Sequence, residues 1–125
     1  MLSKSYNNTA LLFLRVSFSL CLMTHGYGKF LKLINGNFEF ADPLGLGAIP
    51  SLIFAVLGEF IAPIFIIIGY HTRLASVFSI ITMGVITFVV HVDDPFKTME
   101  KALLFFIAFI VVYLAGPGKY SLKKH

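Results

Sequence analysis

Apolar residues dominate four long windows of the chain, and short stretches with glycine, proline or charged residues separate them. Each window is long enough for a helix to cross a bilayer core of about 30 Å, which takes roughly 20 residues. Polarity does not alternate in runs such as ALLFFIAFIVVYLAG, as it would in the strands of a membrane β-barrel. The pattern therefore predicts membrane-spanning helices over about residues 9–30, 50–69, 74–92 and 95–115.

The composition indicates that lipid is the solvent of these helices. Hydrophobic residues make up 58% of the 125 residues and charged residues 13%, and the mean hydropathy is +0.87. A soluble domain of this length could not bury so much apolar surface. We therefore expect one domain over residues 1–125, an all-α integral membrane four-helix bundle. The loop between the first two helices is longer and partly apolar, and we expect it to fold over the membrane surface or the bundle mouth.

The connections between the windows predict the topology. The segment GYHTR is short enough to require an antiparallel pair of helices, and an even number of spans places both termini on one side. The bases on that side are Lys4, Arg73, Lys119, Lys123 and Lys124, and those on the other are Lys29, Lys32, Lys97 and Lys101. The positive-inside rule then favours cytoplasmic termini, by a narrow margin. We expect an integral membrane protein whose two termini lie in the cytoplasm.

Three ionisable residues lie inside the first window, in the segment RVSFSLCLMTHGYGKF. At 100° per helical residue, Arg15, His25 and Lys29 fall within about 80° of one another. Ionisable groups in a membrane cost about 2.5–3.5 kcal/mol each on insertion scales, so they usually face the bundle interior. The spacing therefore predicts one inward stripe along the first helix.

Glu59 lies about halfway along the second window. A guanidinium binds a carboxylate through two parallel hydrogen bonds, so we predict that Arg15 and Glu59 pair inside the bundle. Pro63 has no N–H for the Glu59 carbonyl and should disturb the helix at this point. The pair could be a structural clasp between helices or the floor of a ligand pocket, and the residues leave both readings open.

The remaining ionisable groups lie at the bundle mouth, on the side opposite the termini. His25 and Lys29 come near the end of the first helix, His91 near the end of the third, and Glu100 and Lys101 near the start of the fourth. We predict that they form one titratable cluster. Because histidine titrates near neutral pH, the candidate catalytic residues are His25, Lys29 and His91. The alternatives are interfacial histidines bonded to carbonyls, or a metal site, which no HExxH or close His/Cys spacing supports.

Three segments of the chain resemble the DoxX family of small four-helix membrane proteins. RVSFSLCLMTHGYGKF resembles the first helix of that family, GEFIAPIFIIIGYHTRLASVFSIITMGVITFVVH the second and third, and EKALLFFIAFIVVYLAGPGKYSL the last. The positions that match its motifs are Arg15, His25, Gly26, Lys29, Glu59, Arg73 and Glu100. The family ending often carries an acid after Ser-Leu, where this chain has Lys123, so no acidic role is expected there.

The resemblance implies a link to membrane oxidoreductases, including the membrane subunit of a thiosulfate:quinone oxidoreductase. We expect a redox-associated subunit with a polar pocket for a quinone. It would contact lipid and a partner membrane protein or a second copy, but not nucleic acid. The only cysteine, Cys21, cannot form a CxxC pair, and no haem, flavin or cluster motif is present. We therefore expect neither a covalent cofactor nor an independent electron carrier. The alternatives are a non-enzymatic assembly subunit and, third, a small transporter.

Overall fold

Helices form where the apolar windows lie. The computed structural model of the protein describes residues 4–40, 44–91 and 93–122, and the regular elements in this part of the chain are helices. They are α1 (Lys4–Ile34), α2 (Ala48–Ile68), α3 (Thr72–Val90) and α4 (Phe96–Ala115). All four are long and apolar enough to span a membrane, which confirms the predicted fold class. Val92, Lys123, Lys124 and the side chain of Lys4 lie outside what is described.

The first helix is longer at both ends than the predicted range 9–30, because other segments bind its polar ends. Near its start, the Lys119 N–H donates a hydrogen bond to Asn8 Oδ1 at 3.0 Å. Near its end, Lys32 Nζ donates to the Glu39 carbonyl at 2.8 Å. Hydropathy alone therefore underestimates the length of α1, because hydrogen bonds with other segments, and not lipid, stabilise its ends.

Each helix packs against its neighbours in chain order, and α4 closes the ring against α1. Small residues allow close approach between α2 and α3. The Ser79 hydroxyl donates to the Gly58 carbonyl at 2.7 Å, and a Cβ placed on Gly58 would lie 2.6 Å from Thr82 Cβ. Lipid tails are as apolar as a protein core, so helix association in a membrane depends on such close packing and hydrogen bonding.

The C-terminal tail, residues 118–122, folds back over the end of α2. Gly69 ends α2 in the left-handed conformation, with φ +74°. A Cβ at Gly69 would lie 2.6 Å from Ser121 Cα, and the Leu122 N–H donates to the Ile68 carbonyl at 3.0 Å. This end of the bundle, which also holds the start of α1, is called the near side below, and the opposite end is the mouth.

Two helices contain a π-helical turn close to an ionisable residue. In α2 the turn covers Leu57–Ile61 and includes Glu59. Pro63 cannot donate to the Glu59 carbonyl, and the disturbance expected there takes the form of this wider turn. In α3 the turn covers Ile86–Val90, directly before His91. π-helical turns inside α-helices occur frequently at functional sites, so both positions are of interest.

Candidate functional site

The buried acid of α2 pairs with α1, although with a different residue from the one predicted. Lys29 Nζ donates a hydrogen bond to Glu59 Oε2 at 2.5 Å. The Glu59 side chain is 2% exposed and that of Lys29 26% exposed. The predicted Arg15–Glu59 pair is not formed, and that prediction is wrong.

The register of α1 against α2 separates Arg15 from Glu59. Gly26 is the residue beside Glu59, because a Cβ placed on Gly26 would lie 2.6 Å from the Glu59 carbonyl carbon. At 1.5 Å per residue, Arg15 is about 16 Å from Gly26 along α1, toward the near side. Lys29 is about one turn from Gly26 in the other direction, within reach of the carboxylate.

Arg15 binds backbone carbonyls on the near side. Its guanidinium donates to the Ile66 carbonyl at 2.7 Å, to the Ile67 carbonyl at 3.4 Å and to the Tyr120 carbonyl. The last carbonyls of a helix lack partners within the helix and form the negative end of its dipole. Arg15, which is fully buried, therefore caps α2 and fastens the C-terminal tail to it. This contact fits the structural reading of Arg15.

The buried face of α1 is rotated from the predicted stripe. Arg15, Leu22 and Gly26 are buried, whereas His25 is exposed. The His25 ring packs edge-on against Phe105, with 5.9 Å between the ring centroids. On a helical wheel the buried residues centre about 90° from His25, which places it at the edge of the stripe. Arg15, His25 and Lys29 thus face three different surroundings.

The five residues predicted to form one mouth cluster are divided among three surfaces. Lys29 and His91 line a cavity below the α1–α2 loop. Lys101 lines a separate groove between α1 and α4, and His25 packs on Phe105 in the wall of that groove. Glu100 is exposed near the start of α4. The structure therefore divides the five among separate surfaces, although His25 is close enough to Lys29 and Lys101 to interact with their charges.

The mouth cavity has a volume of about 480 Å³ and is bounded by α2, α3, the α1–α2 loop and Lys29. Most of its wall is apolar, with the main contributions from Phe40, Leu44, Leu46, Phe54, Phe78 and Ile81. The ionisable side chains at its surface are Lys29, Glu59 and His91. The cavity is thus an apolar space with a buried ion pair in one wall and an imidazole in another.

The α1–α2 loop forms part of this cavity, as expected from its apolar residues. Lys29 Nζ is 5.9 Å from the centroid of the Phe40 ring, and Lys32 Nζ is 6.0 Å from it. Both distances are within the range of a cation–π contact. Lys29 therefore links the buried carboxylate of α2 to the loop that forms part of the cavity wall.

His91 lies in the cavity wall directly after the π turn of α3. Its Nδ1 is 2.7 Å from Asp94 Oδ2, and its side chain is 25% exposed. When Nδ1 carries the proton, it donates a hydrogen bond to the Asp94 carboxylate. Nε2 of the neutral imidazole is then a hydrogen-bond acceptor. Asp94 thereby orients the ring, in the way that a second group commonly orients a functional histidine.

The Lys29–Glu59 pair gives the cavity a wall that is neutral overall and strongly polar. An ammonium has three N–H donors, and one of those of Lys29 is used by Glu59. The others can donate to a ligand oxygen. The carboxylate gives the ammonium a partner of opposite charge, which offsets part of the cost of placing it in the membrane. The site can therefore bind an apolar molecule that carries a hydrogen-bond acceptor.

The family of the protein follows from a comparison with known families. A DoxX family model matches residues 10–92, about two-thirds of the chain. The chain belongs to the DoxX family. No curated protein and no solved structure matches it significantly. The matched range includes α2 and α3, which form the helical walls of the mouth cavity. It does not include α4, whose sequence also resembles the DoxX family.

Sequence reasoning missed most of the side chains that shape the cavity of this DoxX protein. Phe54 and Phe78 cannot be told from lipid-facing phenylalanines by their positions in an apolar run. A usable signal was the four-residue spacing of Ser51, Ala55 and Glu59, which places small and polar side chains on one face of α2. That face lines the cavity.

Proposed function

We propose that this DoxX protein is a redox-associated membrane subunit whose mouth cavity binds a quinone-class molecule. The observation that carries the proposal is the apolar cavity of about 480 Å³ with the Lys29–Glu59 pair and His91 in its walls. Small-molecule sites are typically clefts of about 300–1,000 Å³, mostly apolar, with a few polar groups that fix orientation. The cavity matches that description in size and in chemistry.

The residues present suit a quinone head. Phe40, Phe54 and Phe78 offer aromatic surface to a flat ring. Lys29 can donate a hydrogen bond to a carbonyl oxygen of the ring while Glu59 holds the ammonium in place. A bound quinone would supply the capacity to take up two electrons and two protons. The chain would bind and orient the head, and His91 could hold or pass a proton at Nε2.

The electrons would come from a partner. The sequence has one cysteine and no motif for haem, flavin or an iron–sulfur cluster, so its own residues offer no route for electron transfer. We propose a partner membrane protein that delivers them. We also propose that the protein resides in the cytoplasmic membrane of a bacterium with both termini in the cytoplasm, which the distribution of basic residues favours.

Direct binding tests the proposed function. The protein is purified in mild detergent, extracted quinones are quantified by chromatography, and a short-chain quinone is titrated into the delipidated protein. We expect quinone to co-purify. Lys29→Met should weaken binding about tenfold or more, because a hydrogen bond from a charged group is lost.

The matched control is Lys32→Met, which removes the same charge less than one turn further along α1. Lys32 also approaches Phe40, but it does not line the cavity. Its substitution should change affinity less than Lys29→Met does. If the protein neither retains nor binds quinone, the redox proposal fails and the assembly-subunit alternative takes its place.

A further inference from the structure

A second concave surface lies on the outside of the bundle, between α1 and α4. This groove has a volume of about 210 Å³ and is lined by Ser17, Phe18, Cys21, Lys101, Leu104 and Phe105. It shares no lining residue with the mouth cavity. The groove and the cavity are therefore separate sites.

The surface of the groove is apolar, and Lys101 lines it through its methylene groups. Phe18 and Phe105 meet edge to face, with 6.1 Å between their centroids, and give it a defined wall. The Ser17 hydroxyl donates to the Phe13 carbonyl at 2.5 Å and so has a partner within its own helix. Lys101 is the charged side chain among the lining residues. The surface thus suits an aliphatic chain that carries a negative charge at one end.

Lys101 stands at the right depth to meet a lipid headgroup. It follows the first residue of α4, Phe96, by about 7–8 Å along the helix axis, on the mouth side of the bundle. A lysine at this depth extends its ammonium toward the membrane surface while its methylene groups stay in the apolar region. Glu100 is exposed about 100° away around α4 and does not line the groove.

We propose that the α1–α4 groove binds an acyl chain of an anionic phospholipid, whose phosphate is held by Lys101. Charge complementarity favours this occupant, because the one charged lining residue is a cation at headgroup depth. A second copy of the chain is less suited to it. Stable protein interfaces take about 800 Å² from each partner, whereas six residues line this groove.

The absence of tryptophan from the chain permits a clean test. Leu104→Trp introduces one tryptophan into the groove wall, and Ile107→Trp introduces one at an exposed site of α4 about one turn deeper. Each variant is reconstituted into phosphatidylcholine vesicles. Brominated phosphatidylglycerol or brominated phosphatidylcholine is then added at increasing mole fraction, and contact with bromine quenches the tryptophan fluorescence.

We expect the groove probe to prefer the anionic lipid about fivefold over the zwitterionic one, since one basic residue near a membrane surface provides about that selectivity. The Ile107→Trp probe should show no preference. Adding Lys101→Gln to the groove probe should abolish the preference. Lys97→Gln, which removes the same charge from the same helix outside the groove, should leave it largely intact.

Three results would overturn the proposal. Equal quenching of both probes by both lipids would mean that the groove selects nothing. A preference that survives Lys101→Gln would mean that this lysine does not hold the phosphate. If bromine quenched the Ile107→Trp probe but not the groove probe, protein such as a second copy would cover the groove. Far-UV circular dichroism of each variant checks that the helices remain folded.

Discussion

At the scale of single residues, three cations of the bundle find two kinds of partner. Arg15 binds carbonyls at the end of α2, and Arg73 Nε donates to the Tyr113 carbonyl at 3.1 Å near the end of α4. Lys29 binds a carboxylate. A guanidinium presents five donors in a rigid fork, which suits several carbonyls, whereas an ammonium is a compact charge on a flexible stem. Opposite charge alone therefore did not identify the partner of Glu59.

We expect Lys29 and Glu59 to be energetically coupled. Lys29→Met and Glu59→Gln should each lower the free energy of unfolding by about 2 kcal/mol or more, because each leaves a shielded polar group without its partner. The double variant should lose less than the sum of the two, by about 1–3 kcal/mol. Equilibrium unfolding in mixed detergent and dodecyl sulfate micelles measures all four proteins.

The matched control for this cycle combines Glu59→Gln with Arg15→Leu. These side chains are separated by several turns and share no partner, so their effects should add within about 0.5 kcal/mol. Coupling between Arg15 and Glu59, together with simple addition for Lys29 and Glu59, would contradict the pairing described here.

At the scale of helices, axial register decides which surfaces meet. Because Arg15 is level with the end of α2, the first turns of α1 extend past α2 and pack along the C-terminal tail. A Cβ placed on Gly118 would lie 3.2 Å from Leu11 Cδ1, which shows how closely the tail follows α1. The same register brings Gly26 against the π turn that carries Glu59. Because Gly26 has no side chain, α1 can lie directly against this turn, and the Lys29–Glu59 pair depends on that close approach.

Two glycines of α1, less than one turn apart, should respond in opposite directions to alanine. Gly26→Ala should lower the free energy of unfolding by about 1–3 kcal/mol, because its Cβ would meet the Glu59 backbone and overpack the interface. Gly28 has nothing within 4 Å of its Cβ position. Gly28→Ala should leave stability unchanged or raise it by up to about 1 kcal/mol, through helix propensity. Equal destabilisation of both variants in the same unfolding assay would rule out this α1–α2 contact.

At the scale of the whole molecule, the charges are distributed unevenly between the two ends of the bundle. Among the acidic side chains in the described ranges, Glu59 lies about midway along α2, and the others lie at the mouth: Glu39, Asp93, Asp94 and Glu100. The near side carries Arg15, Arg73 and Lys119. The mouth carries four bases of its own, Lys29, Lys32, Lys97 and Lys101, so the asymmetry lies in the acids. The positive-inside rule counts bases, and over the whole sequence it favours cytoplasmic termini by the narrow margin of five bases against four.

We expect the mouth to face away from the cytoplasm. A protein with Asp93→Cys in a Cys21→Ser background should react with a membrane-impermeant maleimide in intact spheroplasts, since residue 93 is exposed in the α3–α4 connection. A fluorescent protein fused to the C-terminus, of a type that matures only in the cytoplasm, should be fluorescent. Labelling only after permeabilisation, combined with a dark fusion, would reverse the orientation.

The fold of this DoxX protein was predictable from the sequence to a large extent. The free energy of placing a helix in lipid is a sum over about 20 consecutive residues, so a linear scan finds each span without knowledge of the others. The end of α2 at Gly69 and the disturbance of this helix near Pro63 also follow from local residue chemistry. The ends of α1 could not be predicted in this way, because they are stabilised by hydrogen bonds with the C-terminal tail and the α1–α2 loop.

The candidate site was predictable only in its parts. The sequence by itself determined that Arg15, Lys29 and Glu59 must find polar partners inside a membrane bundle. Tertiary structure decided which partners they find. The physical reason is that each residue of helical register moves a side chain by 1.5 Å and 100°, so the axial offset between α1 and α2, which the sequence does not give, decides which ionisable residue of α1 is level with Glu59. That offset is set by packing at Gly26 and by the tail, which join residues distant in the chain.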